Sequence, residues 1–537
     1  MAGADIVLGW LNQYGQFQLM DMHAKSNGKP SIDNSQDYEP LYGSRNATHL
    51  IMAFRRKLDT CDPEDWALSD DTTRVIYAYG DDLPRISTSS PAGGTPGDVW
   101  FAKHEVRHRG SRSVFLMNPS DTEFGPPKNF PAGSVTSMEF TSANVAVPSD
   151  FHTLYWCQLF KMPDSRNVGK HHLIKSEPII QKGHEPYVHH MILYACASKE
   201  MEQFVGKPEP CFNRAQTNFS AMYKCTSSFI AGWAVGAEAR VFPKDVGYPL
   251  FEDPTERYLM LEMHYDNSDY HQNIRDNSGM RLYITRQLQP IESGTMVFGV
   301  PVGYQVIPPG QQAFTSYGYC SADCTKSLPV EGVQIFSGML HTHLAGAAVR
   351  LRHFRNGREM KPLLQDNHYD FNYQESRTMK EPVKILPGDE FAVECVYDTT
   401  KRRRTTFGGY STSDEMCLVY LEYFPRIRSG AYSVCLSSPD PKAWLPVLGA
   451  RKFDEKSETV TVTDANGQER NVTAKEWIKQ HVEWNSNSAR DRNGMVRRFQ
   501  DVIRNDKHWV LCLSKKGEQE LWDLEAETEV CCILSVQ

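Results

Sequence analysis

Residues 333–350 read VQIFSGMLHTHLAGAAVR, and the apolar residues before the histidines mark the segment as a buried strand. Successive side chains on a strand face opposite ways, so residues two apart share a face. His341 and His343 stand two apart, and their imidazoles can close on one metal ion. Alone, such a pair is more often structural than ligating. Further donors must come from the rest of the chain.

Two other stretches offer them. In Tyr187–Ala197, YVHHMILYACA, His189 and His190 are adjacent, so a regular strand aims them at opposite faces. Both reach one ion only at a bulge or strand end, or through different ring nitrogens. In Arg257–Asn267, RYLMLEMHYDN, Leu259, Leu261 and Met263 share one face while His264 lies on the other with Met260 and Glu262. His264 thus leaves the apolar side, as a ligand or a solvated histidine does. Strands at Phe391–Tyr397 and Glu415–Phe424 flank the basic cluster Lys401–Arg404, read as a solvated loop tip. Folding them into a hairpin brings Cys395 and Cys417 near register, and a disulfide there would fix Met416 next door. Met416 is a core residue by default. As a ligand its soft thioether would favour Cu(I) over zinc.

The remaining composition narrows the class. A length of 537 residues allows about three domains. A net charge of −8 gives no basic field for a nucleic-acid partner. Thirteen scattered cysteines suit a disulfide framework made in an oxidising compartment. The odd count leaves one thiol for a free or intermolecular role, including a disulfide-linked oligomer. Sequons at Asn46, Asn218 and Asn471 agree with secretory passage. The opening MAGADIVLGWL is no signal peptide, because it lacks a basic start and carries Asp5 within the apolar run. No apolar run of transmembrane length occurs. The expectation is a secretory-pathway protein whose signal peptide lies in a longer precursor. GxGxxG, P-loop and GxSxG signatures are missing. His184–His189 only imitates a zinc-protease helix, with one residue too many and Pro186 inside it.

Along the chain, residues 1–85 read as short strands and turns of a β-sandwich, and 86–136 as a Ser/Pro/Gly-rich linker or covering segment. Strand-rich blocks follow at 137–287 and 288–450. Residues 451–537 read as an extension with a hairpin about Asn466-Gly467 and a disulfide-tied tail ending in Cys531-Cys532.

HHM at His189–Met191, LEMHYDN around His264, LHTHLAG around His341 and EMC at Glu415–Cys417 resemble the ligand motifs of the copper type II, ascorbate-dependent monooxygenases. That family includes dopamine β-hydroxylase, tyramine β-hydroxylase and the peptidylglycine hydroxylating monooxygenase. The likeness is strongest to the dopamine β-hydroxylase-like branch and runs to about residue 440, through Tyr155–Gln158, Arg350–Lys361 and Phe424–Ile427. It implies an all-β protein: a partial DOMON β-sandwich, then two jelly-roll-like copper domains. It implies two copper ions, with His189, His190 and His264 holding the electron-supplying one and His341, His343 and Met416 the one that meets dioxygen and substrate. Ascorbate would be the reductant. The resemblance also pairs Cys157 with Cys211, Cys196 with Cys225, Cys320 with Cys435, Cys324 with Cys512 and Cys395 with Cys417, and leaves Cys61 for Cys531 or Cys532.

The same comparison bears on the small-molecule substrate. Peptide-amidating members carry an arginine where this chain has Met339, and amine hydroxylases a glutamate where it has Val297. Both departures point away from peptide carboxylates and catecholamine-type amines, since a buried charge without a counter-ion is costly, and toward a less polar substrate. Tyr420 and Tyr423 are the candidate substrate-facing residues. The rival reading is a secreted copper-binding or interaction protein without turnover.

Overall fold

The computed structural model describes residues 3–47, 49–86, 99–105, 108–117, 127, 130–131, 133–150, 153–196, 199–211, 225, 229–252, 257–267, 269–427, 432–454, 456–463, 468–482, 484, 489–514 and 519–524. They fall into two compact units, Met1–Met117 and Asn118–Gln537. In the first, Ala4–Leu11, Phe17–Ala24 and Ser31–Ile32 form a three-stranded antiparallel sheet. Glu39–Arg45 pairs with Leu50–Arg55. Arg109–Val114, inside the stretch read as linker, pairs with Thr73–Ala78.

The second unit holds two β-sandwiches in succession, and the all-β class stands. In the amino-terminal sandwich a sheet containing Thr153–Lys161, Tyr258–Asp266, Val188–Cys196 and Phe229–Ala234 faces one containing Val135–Thr141, Gly279–Thr285 and His171–Ile179. Alternation assigns the faces. Leu259, Leu261, Met263, Met191 and Leu193 meet Leu173, Leu282 and Ile284 in the core, leaving Glu262, His264 and His190 on the opposite side. In the carboxy-terminal sandwich a seven-stranded sheet runs Arg377–Ile385, Val333–His341, Leu418–Phe424, Gly294–Gly299, Tyr432–Pro439, His508–Ser514, Gln519–Leu524. It packs on a sheet built from Phe314–Cys320, Glu390–Tyr397 and Gly346–Arg355.

The strand Val333–His341 changes phase part-way. Val333, Ile335 and Leu340 all enter the carboxy-terminal core, although Ile335 and Leu340 are five apart and would face opposite ways on a regular strand. A register shift between Ile335 and Ser337, at Phe336, supplies the missing step. Downstream of it Gly338 and Leu340 point inward, and Ser337, Met339 and His341 turn to the other face. The displaced Phe336 ring is 2% exposed and belongs to the core of the amino-terminal sandwich, against Phe242 and Phe424.

Five disulfides are present, Cys157–Cys211, Cys196–Cys225, Cys320–Cys435, Cys324–Cys512 and Cys395–Cys417, matching the pairs that the resemblance implied. Cys395–Cys417 is not a hairpin cross-link. Its two strands lie in opposite sheets, because the connection between them is long enough to cross the sandwich, with Thr406–Phe407 pairing to Val306–Ile307 on the way. Cys61 makes no disulfide among the described residues, and Cys531 and Cys532 lie outside them. The expected extension hairpin is present as Thr459–Thr463 against Glu469–Thr473, with its turn outside the described residues. The helix Ala489–Asn505 presents Val496, Phe499 and Ile503 to the carboxy-terminal core, an apolar stripe at helical spacing. His508–Ser514 completes the large sheet beside Tyr432–Pro439.

Phe336→Ala should cost about 3–5 kcal/mol, as for other buried aromatic truncations. Because the ring comes from one sandwich and fills the core of the other, thermal unfolding of the unit Asn118–Gln537 should separate into one transition for each sandwich.

Candidate functional site

His190 and His264 sit directly across from each other on adjacent strands. His189 joins them through a bulge: Val188 is opposite Tyr265 and His190 opposite His264, so His189 is the extra residue of its strand. Adjacency in sequence is thereby reconciled with convergence in space. The Nδ1 of His190 lies 3.2 Å from Nδ1 of His189 and 3.3 Å from Nδ1 of His264. Two ring nitrogens bound to one ion at about 2.0 Å with tetrahedral angles stand about 3.3 Å apart, so the group fits a shared cation. Tyr155 stacks on His264 at 4.2 Å, and Phe371 of the other sandwich stacks on His189 at 4.1 Å.

The second group is oriented by its hydrogen bonds. His341 Nδ1 is 2.7 Å from Gln374 Oε1, and Gln374 Nε2 donates to the Phe371 carbonyl. The amide oxygen is therefore turned to His341, whose Nδ1–H donates and whose Nε2 is left bare. His343 Nδ1 faces the Asp414 carbonyl at 3.3 Å, and its Nε2 is buried without a partner among the described residues. Carbonyl partners on one ring nitrogen leave the other ready to ligate, a common arrangement around metals. Leu418 is the register partner of His341. Two residues further out on each chain stand His343 and Met416, and the Glu415 carboxylate accepts from the backbone N–H of His343 and Ala345. Met416 is buried, its carbonyl held by Tyr397 Oη and its neighbour Cys417 bonded to Cys395.

The two groups adjoin within this unit, the His190 and His341 rings lying 5.9 Å apart. Burial holds all five imidazoles deprotonated. His190 is pushed down to about 3 and His341 to about 4. His189, His264 and His343 go well below the ordinary histidine range, through burial first and neighbouring imidazoles second. Glu262, 3.5 Å from His190 Nε2, is pushed up to about 8 by burial.

Beside His341 the large sheet shows three rows to the amino-terminal sandwich: His341, Leu418 and Gly299; then Met339, Tyr420 and Val297; then Ser337, Glu422 and Thr295. A narrow cavity lies over the last two rows, closed by Phe229, Gly232 and Arg240 of the other sandwich. Tyr420 faces this cavity, its ring 6.3 Å from that of His341. Tyr423 does not. Three residues further along the strand it falls on the other face, buried in the core, and its hydroxyl accepts from the Ile427 N–H. Sequence reading missed Arg240 and Glu422, which form a buried ion pair at the end of the cavity. Glu422 shares its face with Tyr420, and that two-residue step was the available signal.

The family described as copper type II ascorbate-dependent monooxygenase matches here twice, its N-terminal domain over residues 138–272 and its C-terminal domain over 291–445. A DOMON domain matches residues 1–80. DBH-like monooxygenase protein 1 of Gallus gallus is 38% identical over 84% of this chain and 70% of its own length. The chain belongs to the copper type II ascorbate-dependent monooxygenases. The human DBH-like monooxygenase protein 1 is 37% identical over 84% of the chain and 70% of its length. Dopamine beta-hydroxylase of Bos taurus is 34% identical over 82% of the chain and 68% of its length. The family is copper- and ascorbate-dependent, and both histidine groups fall within the two matched copper-domain segments.

The neutral imidazoles give a signed pH dependence. Their folded pKa values lie below the unfolded value of about 6.5, so on acidification the unfolded chain takes up protons first. The contribution of these imidazoles to the stability of the metal-free protein should be flat above about pH 6.5 and fall below it, each adding about 1.4 kcal/mol per pH unit until its folded pKa is reached, whereas Glu262 and Glu415, both pushed up to about 8 by burial, contribute the opposite slope up to about pH 8. Denaturant titrations at a series of pH values measure the slope, and replacing His190 and His341 by Gln should reduce it.

Proposed function

We propose that this member is a copper- and ascorbate-dependent monooxygenase that hydroxylates an activated C–H bond of a small substrate with O2. The observation that carries the reading is the convergence of five dehydrated, neutral imidazoles in two adjoining groups. His189, His190 and His264 hold one copper in this reading, and His341, His343 and Met416 hold the second. Bound copper supplies one-electron uptake from ascorbate and the activation of dioxygen. Overall one O2, two electrons and two protons convert C–H to C–OH and release water.

The chain's own residues set the conditions for that chemistry. Gln374 and the Asp414 carbonyl fix the tautomers of His341 and His343. A thioether at Met416 favours the reduced ion, the form that waits for oxygen and substrate. Phe371 and Tyr155 cover the first imidazoles and exclude water. Met339, Tyr420 and Val297, one row from His341, would flank the carbon to be hydroxylated, and holding it there is the protein's contribution to rate. The 5.9 Å between the His190 and His341 rings gives an electron a short route between the groups. Five disulfides support folding in an oxidising compartment, in line with a secretory-pathway protein.

Copper loading should reach two ions per chain, with ascorbate-dependent oxygen uptake on a panel of arylalkyl substrates. Met416→Ile should abolish hydroxylation while the His189 group remains reducible by ascorbate, followed by loss of the Cu(II) resonance signal. Unchanged turnover in that variant removes Met416 from the site. Full loading without oxygen uptake on any substrate returns the chain to a copper-binding role.

A further inference from the structure

The unit Met1–Met117 holds a group of charges that the copper chemistry does not use. Asp21 and His23 lie two apart on Phe17–Ala24 and so share a face of the three-stranded sheet. Asp5 is the register partner of His23 on the neighbouring strand. Asp33 follows Ser31–Ile32, and its N–H donates to the Asp21 carbonyl. Glu64 and Asp65 arrive from the loop after Leu50–Arg55. That loop is held down where the Trp66 N–H donates to Asp5 Oδ2 and Arg56 donates to the Trp66 carbonyl. Five carboxylates gather here with one imidazole. The cations paired with them are Arg56, on Asp5 and Asp65, and His23 when it is protonated.

Two cations do not balance five carboxylates. Burial, reinforced by Asp65, Asp33 and Asp5, pushes Asp21 up to about 7. Burial, with Glu64 and Asp65 adding to it, also raises Asp33 against the opposing pull of His23. The deficit is sharpest around that histidine, because Arg56 already serves Asp5 and Asp65. His23 Nδ1 contacts Asp33 Oδ1, and its Nε2 lies 3.4 Å from Glu64 Oε1, about the separation of two donors on one tetrahedral ion. Donor atoms of His23, Asp33 and Glu64 all fall within 4.8 Å of one another. The Asp33 side chain is 0% exposed, and its Oδ2 has no hydrogen-bond partner among the described residues. An imidazolium bridging Asp33 and Glu64 would meet one oxygen of each and leave that buried acceptor unsatisfied, which is costly.

We propose that His23, Asp33 and Glu64 form a binding site for a divalent cation of the zinc class, separate from the copper ligands. One imidazole and two carboxylates are a ligand set that zinc accepts, with water completing the coordination. The imidazole argues against calcium and magnesium, which favour oxygen donors throughout. The ion brings positive charge to the place where carboxylates outnumber cations and gives Asp33 Oδ2 a partner. It also ties the loop carrying Glu64 to the sheet carrying His23 and Asp33, so its role is to hold the fold of this unit and not to take part in oxygen chemistry.

The test uses the full chain loaded with copper, so that the other imidazole groups are occupied, and Zn2+ as the probe. Calorimetry should show one further zinc bound per chain and not displaced by excess Ca2+ or Mg2+. X-ray absorption at the zinc edge should report a single imidazole with oxygen ligands; two or three imidazoles would put the zinc in the copper groups and overturn the assignment. Glu64 has a side chain 28% exposed, so Glu64→Gln should fold, and it should weaken zinc binding by about tenfold or more, as should His23→Gln. Glu39→Gln, which removes the partner of Arg55 in an exposed ion pair of the same unit, should leave zinc affinity unchanged. Zinc should also raise the unfolding temperature of the parent chain but not of Glu64→Gln, since an ion bound only by the folded state stabilises it by mass action. Absence of a further zinc, or equal affinity in the parent and in the His23 and Glu64 variants, overturns the inference and returns the group to an imidazolium bridging two carboxylates.

Discussion

Three imidazole nitrogens held within 4.8 Å of one another, away from water, form an arrangement that added protons destabilise. An added proton places positive charge against the neighbouring rings in a low-dielectric site, and the neutral rings, each with a single N–H, leave ring nitrogens of His189 and His264 buried without a partner among the described residues. A cation relieves both problems at once, and kinship makes that cation copper. The cost falls on the scaffold, which must bury five polar rings and hold them in place with Tyr155, Phe371, Gln374 and a backbone carbonyl.

Two breaks in strand regularity make the arrangement possible. The bulge at His189 lets neighbouring residues converge, and the one at Phe336 moves His341 from the core side of its strand to the cavity side. Since side chains alternate with period two, a single inserted residue exchanges the faces of everything downstream. The His341 strand therefore begins as sandwich core and ends with His341 turned to the neighbouring sandwich. A regular strand placing Ile335 inward would have pointed His341 inward as well.

The elements legible in the sequence were those that depend on local spacing. His264 on the non-apolar face of its strand, the need for a bulge at His189 and the strand character of both sandwich blocks are i, i+2 statements, and they needed no knowledge of distant contacts. What escaped depends on which sheets pack together. Cys395 and Cys417 read as a hairpin because they are near in sequence, yet their strands lie in opposite sheets. Tyr423 read as site-facing because it follows Tyr420 closely, but a step of three changes face. Arg240 and Glu422 are far apart in sequence and become partners only when the two sandwiches close on each other.

That closure links the parts. Phe336 turns His341 outward by being displaced from its own strand, and the displaced ring fills the core of the neighbouring sandwich. Phe371 stacks on His189 across the same divide, and the Gln374 N–H donates to the Val235 carbonyl. The residues that orient the second histidine group are thus also the residues that hold the first sandwich against it. Separating the sandwiches would remove the stack on His189 and uncover the Arg240–Glu422 pair together. In the proposed function, access for substrate and dehydration of the imidazoles are opposing demands on one interface, which is closed by a few aromatic rings and by ion pairs that include Arg240–Glu422 and Arg426–Glu252.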